Sequence, residues 1–169
     1  CNTYFSNVYR RIIDKDNKVE ENINNWHKHL NSFGLGNYLG YDHPVGQPGY
    51  VPNANFYNLW YPNQRWRGST IVSNAIGQGE ILITPIQLAN VAATIANRGF
   101  FYTPHFVKGV QGDFIDPKYK TKRTTSISKE HFTNIINGMA DVVSKGTARI
   151  AAIRGIEVCG KTGTIENFT

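Results

Sequence analysis

The stretch VCGKTGT at residues 158–164 sets a single fixed cation, Lys161, between Gly160 and Gly163 and flanks it with the hydroxyls of Thr162 and Thr164. A lysine ammonium is donor only, a hydroxyl adds a further donor, and glycine lets a bound group come close to the backbone. The chemistry this supports is the holding of an anion, either a phosphate or a carboxylate.

For phosphate, Gly155, Gly160, Lys161 and Thr162 satisfy the pattern G-x-x-x-x-G-K-[ST] letter for letter. That loop needs a turn between its glycines and a helix starting at the lysine, whose N–H groups hold the phosphates. Here Ile156 to Cys159 read as strand, and Gly163 to Thr169 show no helical period. For carboxylate, IEVCGKTGTI at residues 156–165 is a strand with Lys161 and Gly163 on one face and Thr162 and Thr164 on the other. A substrate lying antiparallel along that edge would pair with its backbone, while Lys161 lowers the energy of a nearby anion or oxyanion.

The elements that must position this stretch follow from periodicity. Phe5, Val8 and Ile12 predict an amphipathic helix over residues 4–13, with Asn2 and Thr3 as caps and the polar stretch Asp14 to Lys18 as its end. Ile23, Trp26, Leu30 and Phe33 predict a second helix, stopped by Gly34. From Gly34 to Gly68 the chain holds four of its seven prolines and six of its sixteen glycines, interleaved with eight aromatic residues, which predicts an ordered excursion packed on its own rings.

In GQGEILITPIQLANVAATIANRG, residues 77–99, Thr84 caps a helix, Pro85 takes its first position, Arg98 its last turn, and Gly99 ends it. Its near-continuous apolar residues predict burial on most sides. FFYTPHFVKGV, starting at Phe100, reads as strand, and a helix runs from near Ser128 to before Gly146. Helices mixed with a few strands indicate an α/β or α+β arrangement.

A chain of 169 residues with 40% apolar and 12% aromatic content supports a packed core, which excludes a disordered or collagen-like class. The formal charge of +6 is dispersed except for Lys118, Lys120, Lys122 and Arg123, which read as a solvated loop, so no nucleic-acid partner is expected. Cys1 and Cys159 form no zinc or disulfide spacing, and His27, His29 and His43 lack ligands at matching intervals, so neither a metal nor another cofactor is expected.

Lys161-Thr162-Gly163 resembles the K-T-G box of the penicillin-recognising serine enzymes, whose motif set is S-x-x-K, S-x-N and K-T-G. Residues 77–99 are similar to the helix-entry segment of class B penicillin-binding proteins, and SKGTARIAA, starting at Ser144, to the segment before their K-T-G strand. Order and spacing agree along most of the chain, and the likeness is to the transpeptidase domain of the elongation type, penicillin-binding protein 2.

The resemblance implies a β-lactamase/transpeptidase-like fold, an antiparallel sheet flanked by helices, present only in part over residues 1–169. It implies a Ser ahead of Cys1, so that Asn2 is the third residue of S-x-N, with the nucleophile serine and its lysine base further upstream. Ser126-Ile127-Ser128-Lys129 also spells S-x-x-K, but it follows the second motif instead of preceding it.

The implied activity is D,D-transpeptidation of peptidoglycan stem peptides through a serine acyl-enzyme during cell-wall elongation, with β-lactams as covalent inhibitors. Lys161 and Asn2 would be its catalytic residues here, and Thr162, Gly163 and Thr164 would bind the substrate carboxylate, with the Thr164 N–H as an oxyanion donor. A RodA-type glycosyltransferase is the implied protein partner, and the periplasmic face of the inner membrane the implied location. The same fold also serves β-lactam sensors and β-lactamases; the aromatic stretch from Gly34 to Gly68 favours the penicillin-binding protein.

Overall fold

A computed structural model describes residues 1–109 and 115–163 as five α-helices joined by ordered loops, with a short antiparallel hairpin. Helix α1 spans Asn2–Ile13. It ends at Asp14, and a tight turn follows in which Asp16 and Asn17 take left-handed φ of 53° and 56°. Helix α2, Val19–Ser32, runs back along α1, and Gly34 takes the positive φ of 86° that a helix-terminating glycine permits.

The first correction concerns α1. Cys1 is the N-cap, and Asn2 and Thr3 lie inside the helix, where the Thr3 carbonyl accepts from the Asn7 amide. Its inward stripe is Tyr9 and Ile13, while Phe5 and Ile12 are half exposed. Tyr9 and Ile13 join Ile23, Ala54, Tyr57, Trp66 and Ile71 in the main core. Three of those seven residues come from the Gly34–Gly68 stretch, which is therefore ordered as expected. That stretch also forms an unforeseen helix, α3 at Ala54–Trp60, started by Asn53 whose side chain accepts from the Phe56 N–H at 3.1 Å.

Helix α4, Pro85–Ala96, starts as predicted: Thr84 and Gln87 form a reciprocal capping box with Pro85 at the first position. Arg98 lies beyond the last turn, at the left-handed position with φ 58°, and the Gly99 N–H closes back on the Thr94 carbonyl at 2.9 Å. Burial on α4 is the reverse of the expectation. The buried residues are Gln87, Asn90 and Thr94, while Leu88 is 62% exposed and Ala89, Ala92 and Ala96 also face outward.

The reason is hydrogen bonding. Gln87 Nε2 lies 3.2, 3.0 and 2.7 Å from the carbonyls of Gly34, Asn37 and Pro48, and Asn90 Nδ2 donates to the Phe33 carbonyl. A loop that turns this often strands carbonyls away from water, and a buried amide is what satisfies them.

Strand β1 covers only Phe100–Tyr102, and it pairs antiparallel with β2, Lys122–Thr124, in the register Phe101 opposite Arg123. The strand expected through residue 110 thus ends early: Asp42 draws the next segment away by accepting the N–H groups of Phe106 and Val107, each at 2.8 Å. The basic cluster is solvent-exposed as expected, with Lys118 and Lys120 in a turn, but Lys122 and Arg123 sit on β2, over the rings of Phe100 and Phe101, and not in a loop. Helix α5, His131–Ser144, ends before Gly146 as expected, but its N-cap is Glu130, with no side-chain cap bond, and not Ser128. Its Phe132 fills the space over Gly99, where an added Cβ would come within 2.9 Å of the ring.

Two outcomes follow. In the intact protein Gln87→Leu, which leaves loop carbonyls without a donor, lowers stability by about 2–4 kcal/mol in urea denaturation; a change within about 0.5 kcal/mol contradicts the clasp. The backbone bonds from Phe106 and Val107 hold the Asp42 carboxyl below its ordinary value of 3.8. A depressed carboxyl stabilises fully above that unfolded value and loses the contribution as pH falls through its lower folded value. Amide exchange at Phe106 and Val107 therefore accelerates, beyond its intrinsic pH dependence, on acidification below 3.8, and Asp42→Asn shows the loosened segment at every pH.

Candidate active site

Residues 153–163 approach α5 after a tight turn, closed by a bridge between Ile153 and Ile156 and turned by Gly155 at φ 81°. The Gly160 N–H donates to the Met139 carbonyl at 3.1 Å, and Cys159 lies beside Ile136. A Cβ on Gly160 would stand 3.6 Å from Val143, so the glycine brings the backbone close to α5. Lys161, Thr162 and Gly163 then project as exposed residues, and the Lys161 ammonium folds back onto the Thr162 carbonyl. Thr164 lies outside the described residues.

The strand predicted over 156–165 does not form across the described part, residues 156–163. A strand exists through its ladder of hydrogen bonds. Here the backbone has the Ile153 and Met139 contacts and no neighbouring strand among the described residues. Among the described residues, 161–163 start no helix of the kind a phosphate loop needs, whose N–H groups converge on an anion.

Asn2 occupies the first turn of α1, exposed. Among the described residues no hydrogen bond joins it to Lys161 or Thr162; Asn2 stands on α1, whereas the K-T-G segment is irregular backbone that meets α5 through Gly160. What fixes α1 is a polar cluster that sequence reasoning missed. Asn74 Nδ2 donates to Tyr57 Oη at 2.6 Å and to Tyr9 Oη at 3.2 Å, and Tyr57 Oη donates to Glu80 Oε2 at 2.9 Å. Burial pushes both phenols far up, so they remain protonated and cannot serve as bases. The only signal in the sequence is that Asn74 lies in a short segment, Val72 to Ile76, with apolar residues at both ends.

Ser126 of the second S-x-x-K match is engaged in structure. Its Oγ lies 2.7 Å from His29 Nδ1 and 3.0 Å from Ser32 Oγ, and its N–H donates to Ser32 Oγ. Ser32 Oγ in turn donates to the His29 carbonyl at 2.6 Å. Every hydroxyl in the group has a partner, which ties the end of α2 to the entry of α5. His27 and His43 are likewise held by the carbonyls of Val51 and Val45. Among the described residues no three histidines, cysteines or carboxylates gather as metal ligands, and no helix is long and apolar enough to cross a membrane.

Residues 1–169 match the family described as the penicillin binding protein transpeptidase domain. The chain is 29% identical over 173 aligned positions to the peptidoglycan D,D-transpeptidase MrdA of Acinetobacter baumannii, covering 98% of this chain and 24% of that protein. Among solved structures, penicillin-binding protein 2 of Pseudomonas aeruginosa superimposes with a TM-score of 0.70 at 27% identity, over 88% of this chain and 32% of that one. The Helicobacter pylori penicillin-binding protein 2 in complex with MreC gives 0.66 at 28% identity, over 94% of this chain and 26% of that one. The chain thus spans about a quarter of the length of the curated relatives it matches.

Because Ser126 is a tie and not a nucleophile, a fluorophosphonate probe leaves it unmodified, and Ser126→Ala costs about 1 kcal/mol in denaturant unfolding of the intact protein. Mass-spectrometric detection of the probe on Ser126 would contradict this.

Proposed function

The chain belongs to the penicillin-binding protein transpeptidase family, and from that premise we propose that it works as part of a peptidoglycan D,D-transpeptidase of the elongation type. The observation that carries the reading is the family match along the whole chain, with K-T-G at residues 161–163 and Asn2 opening α1. In this reading residues 1–169 run from the second motif to just past the third, and the nucleophile serine and its lysine base stand upstream of them.

The upstream serine attacks the penultimate D-alanine carbonyl of a stem peptide and expels the terminal D-alanine. An amine from a neighbouring strand then resolves the acyl-enzyme and completes the cross-link. β-Lactams acylate the same serine. Lys161, with the Thr162 and Thr164 hydroxyls, holds the substrate carboxylate as a charge-assisted grip. The Thr164 N–H supplies one oxyanion donor, an interaction whose loss costs roughly 3 kcal/mol of transition-state stabilisation. Asn2 orients the acyl side chain, and Gly163 leaves room for the peptide backbone.

The exposure of Lys161 and Thr162 supports this use, since both groups are open to an incoming ligand. The outward apolar face of α4, with Leu88 62% exposed, supports the reading that these residues act together with upstream chain and that the 169-residue piece alone is inactive. Partners in the same reading are a RodA-type glycosyltransferase and, by likeness to the Helicobacter pylori complex, an MreC-like protein, at the periplasmic face of the inner membrane.

Labelled penicillin applied to the intact protein tests the proposal. It labels covalently, and Lys161→Ala slows labelling by roughly a hundred-fold. An intact, folded protein that takes up no label would end the transpeptidase reading and the sensor and β-lactamase alternatives with it.

A further inference from the structure

A cleft among the described residues lies away from Lys161. The end of α1, the turn after it and the first turn of α2 face α3 and residues 61–67 across a volume of about 760 Å³. No lining residue comes from α5 or from residues 153–163. The volume is that of a ligand site, about 300–1,000 Å³, and the lining identifies the kind of ligand.

Its charges cancel: Lys18, Arg65 and Arg67 stand against Asp14, Glu20 and Glu21, three of each sign. Lys18 and Glu21 pair at 3.2 Å, and Asp14 accepts the Gly68 N–H at 2.7 Å. A polyanion needs an excess of cations along its path, and this cleft has none to offer. Between the charges stand the carboxamides of Asn17, Asn58 and Gln64 and the ring of Tyr61. A carboxamide offers two donors and an acceptor, which matches vicinal hydroxyls and acetamido groups. A tyrosine ring packs against the apolar face of a pyranose and keeps its hydroxyl for hydrogen bonding.

The walls are fixed in advance. Trp66 is buried, donates its Nε1–H to Asn58 Oδ1 at 2.8 Å and leans on Tyr57 at 5.1 Å between ring centres. Asn58 therefore keeps its NH₂ as a donor. Asp16 and Asn17 turn the rim in the left-handed conformation that these two residue types tolerate best after glycine. A cleft set in this way loses little freedom when a ligand enters.

We propose that the cleft binds an uncharged saccharide chain carrying N-acetyl groups, at a site separate from the K-T-G segment. The saccharide class follows from the cleft lining; only the identification of that saccharide with the glycan strand of peptidoglycan rests on the transpeptidase reading. The site would hold the polymer while its peptide reacts elsewhere.

Isothermal titration of the intact protein with chitotetraose tests it. Saturable binding is expected, weakened about five-fold by Gln64→Ala or Tyr61→Ala and unchanged by Lys145→Ala on the far end of α5. Tyr61 also packs on the core, so exposed Gln64 carries the test should Tyr61→Ala misfold. No saturable heat, equal affinity in Gln64→Ala, or binding of a sugar-free stem pentapeptide that the same variant weakens would each overturn the saccharide site. Penicillin has no sugar: a protein that labels but binds no chitotetraose keeps the transpeptidase reading and loses this one, and the converse result loses only the transpeptidase reading.

Discussion

The fold depends on one buried carboxamide. Gln87, 1% exposed, directs its NH₂ among the carbonyls of Gly34, Asn37 and Pro48 while its oxygen caps α4 through the Thr84 N–H. One side chain thereby starts a helix and closes a long loop. An irregular loop cannot pair its own backbone as a helix or sheet does, and each carbonyl left unpaired in the interior costs about 1–3 kcal/mol. Asn90, one turn further along, repeats the service for Phe33. Another buried carboxamide, Asn74, joins α1 to α3 through the phenols of Tyr9 and Tyr57.

A consequence is that α4 turns its polar stripe inward and its aliphatic stripe outward. Helix α1 is divided differently: Tyr9 and Ile13 are buried in the core, yet Tyr4, Phe5 and Ile12 remain open. Both helices have satisfied their polar needs within these residues and hold apolar surface in reserve, in keeping with a stretch that is about a quarter of its relatives' length. The two motif segments are placed by different means: α1 is held from inside by Asn74 and Asp14, whereas Lys161 is exposed on a segment that touches α5 through Gly160.

Local signals were legible in the sequence wherever the physics is local. The cap at Thr84, the stop at Gly34 and the end of α5 before Gly146 follow from residue types within a few positions, and the structure places them accordingly. Burial on α4 was not legible, because apolar periodicity assumes that oil faces inward, and which carbonyls Gln87 must meet is settled fifty residues away. Helix α3 was hidden among turn-forming residues, and only the tertiary burial of Ala54 and Tyr57 makes it worth forming. The strand at residues 156–163 failed for a related reason: β-propensity names a willing strand, and a ladder needs a neighbour. For the site, the K-T-G letters and their order gave the family, while the polar cluster around Asn74 carries no motif at all.

The central claim is that Asn2, on α1, and Lys161, on the irregular segment that meets α5, serve one bound ligand. The structure of the intact protein acylated by a penicillin measures this directly. The account predicts the Lys161 ammonium and the Thr162 hydroxyl at the antibiotic's carboxylate and the Asn2 side chain at its acyl amide, each at hydrogen-bonding distance of about 2.7–3.2 Å. A carboxylate held by other residues, with Lys161 still folded onto its own backbone, would contradict it.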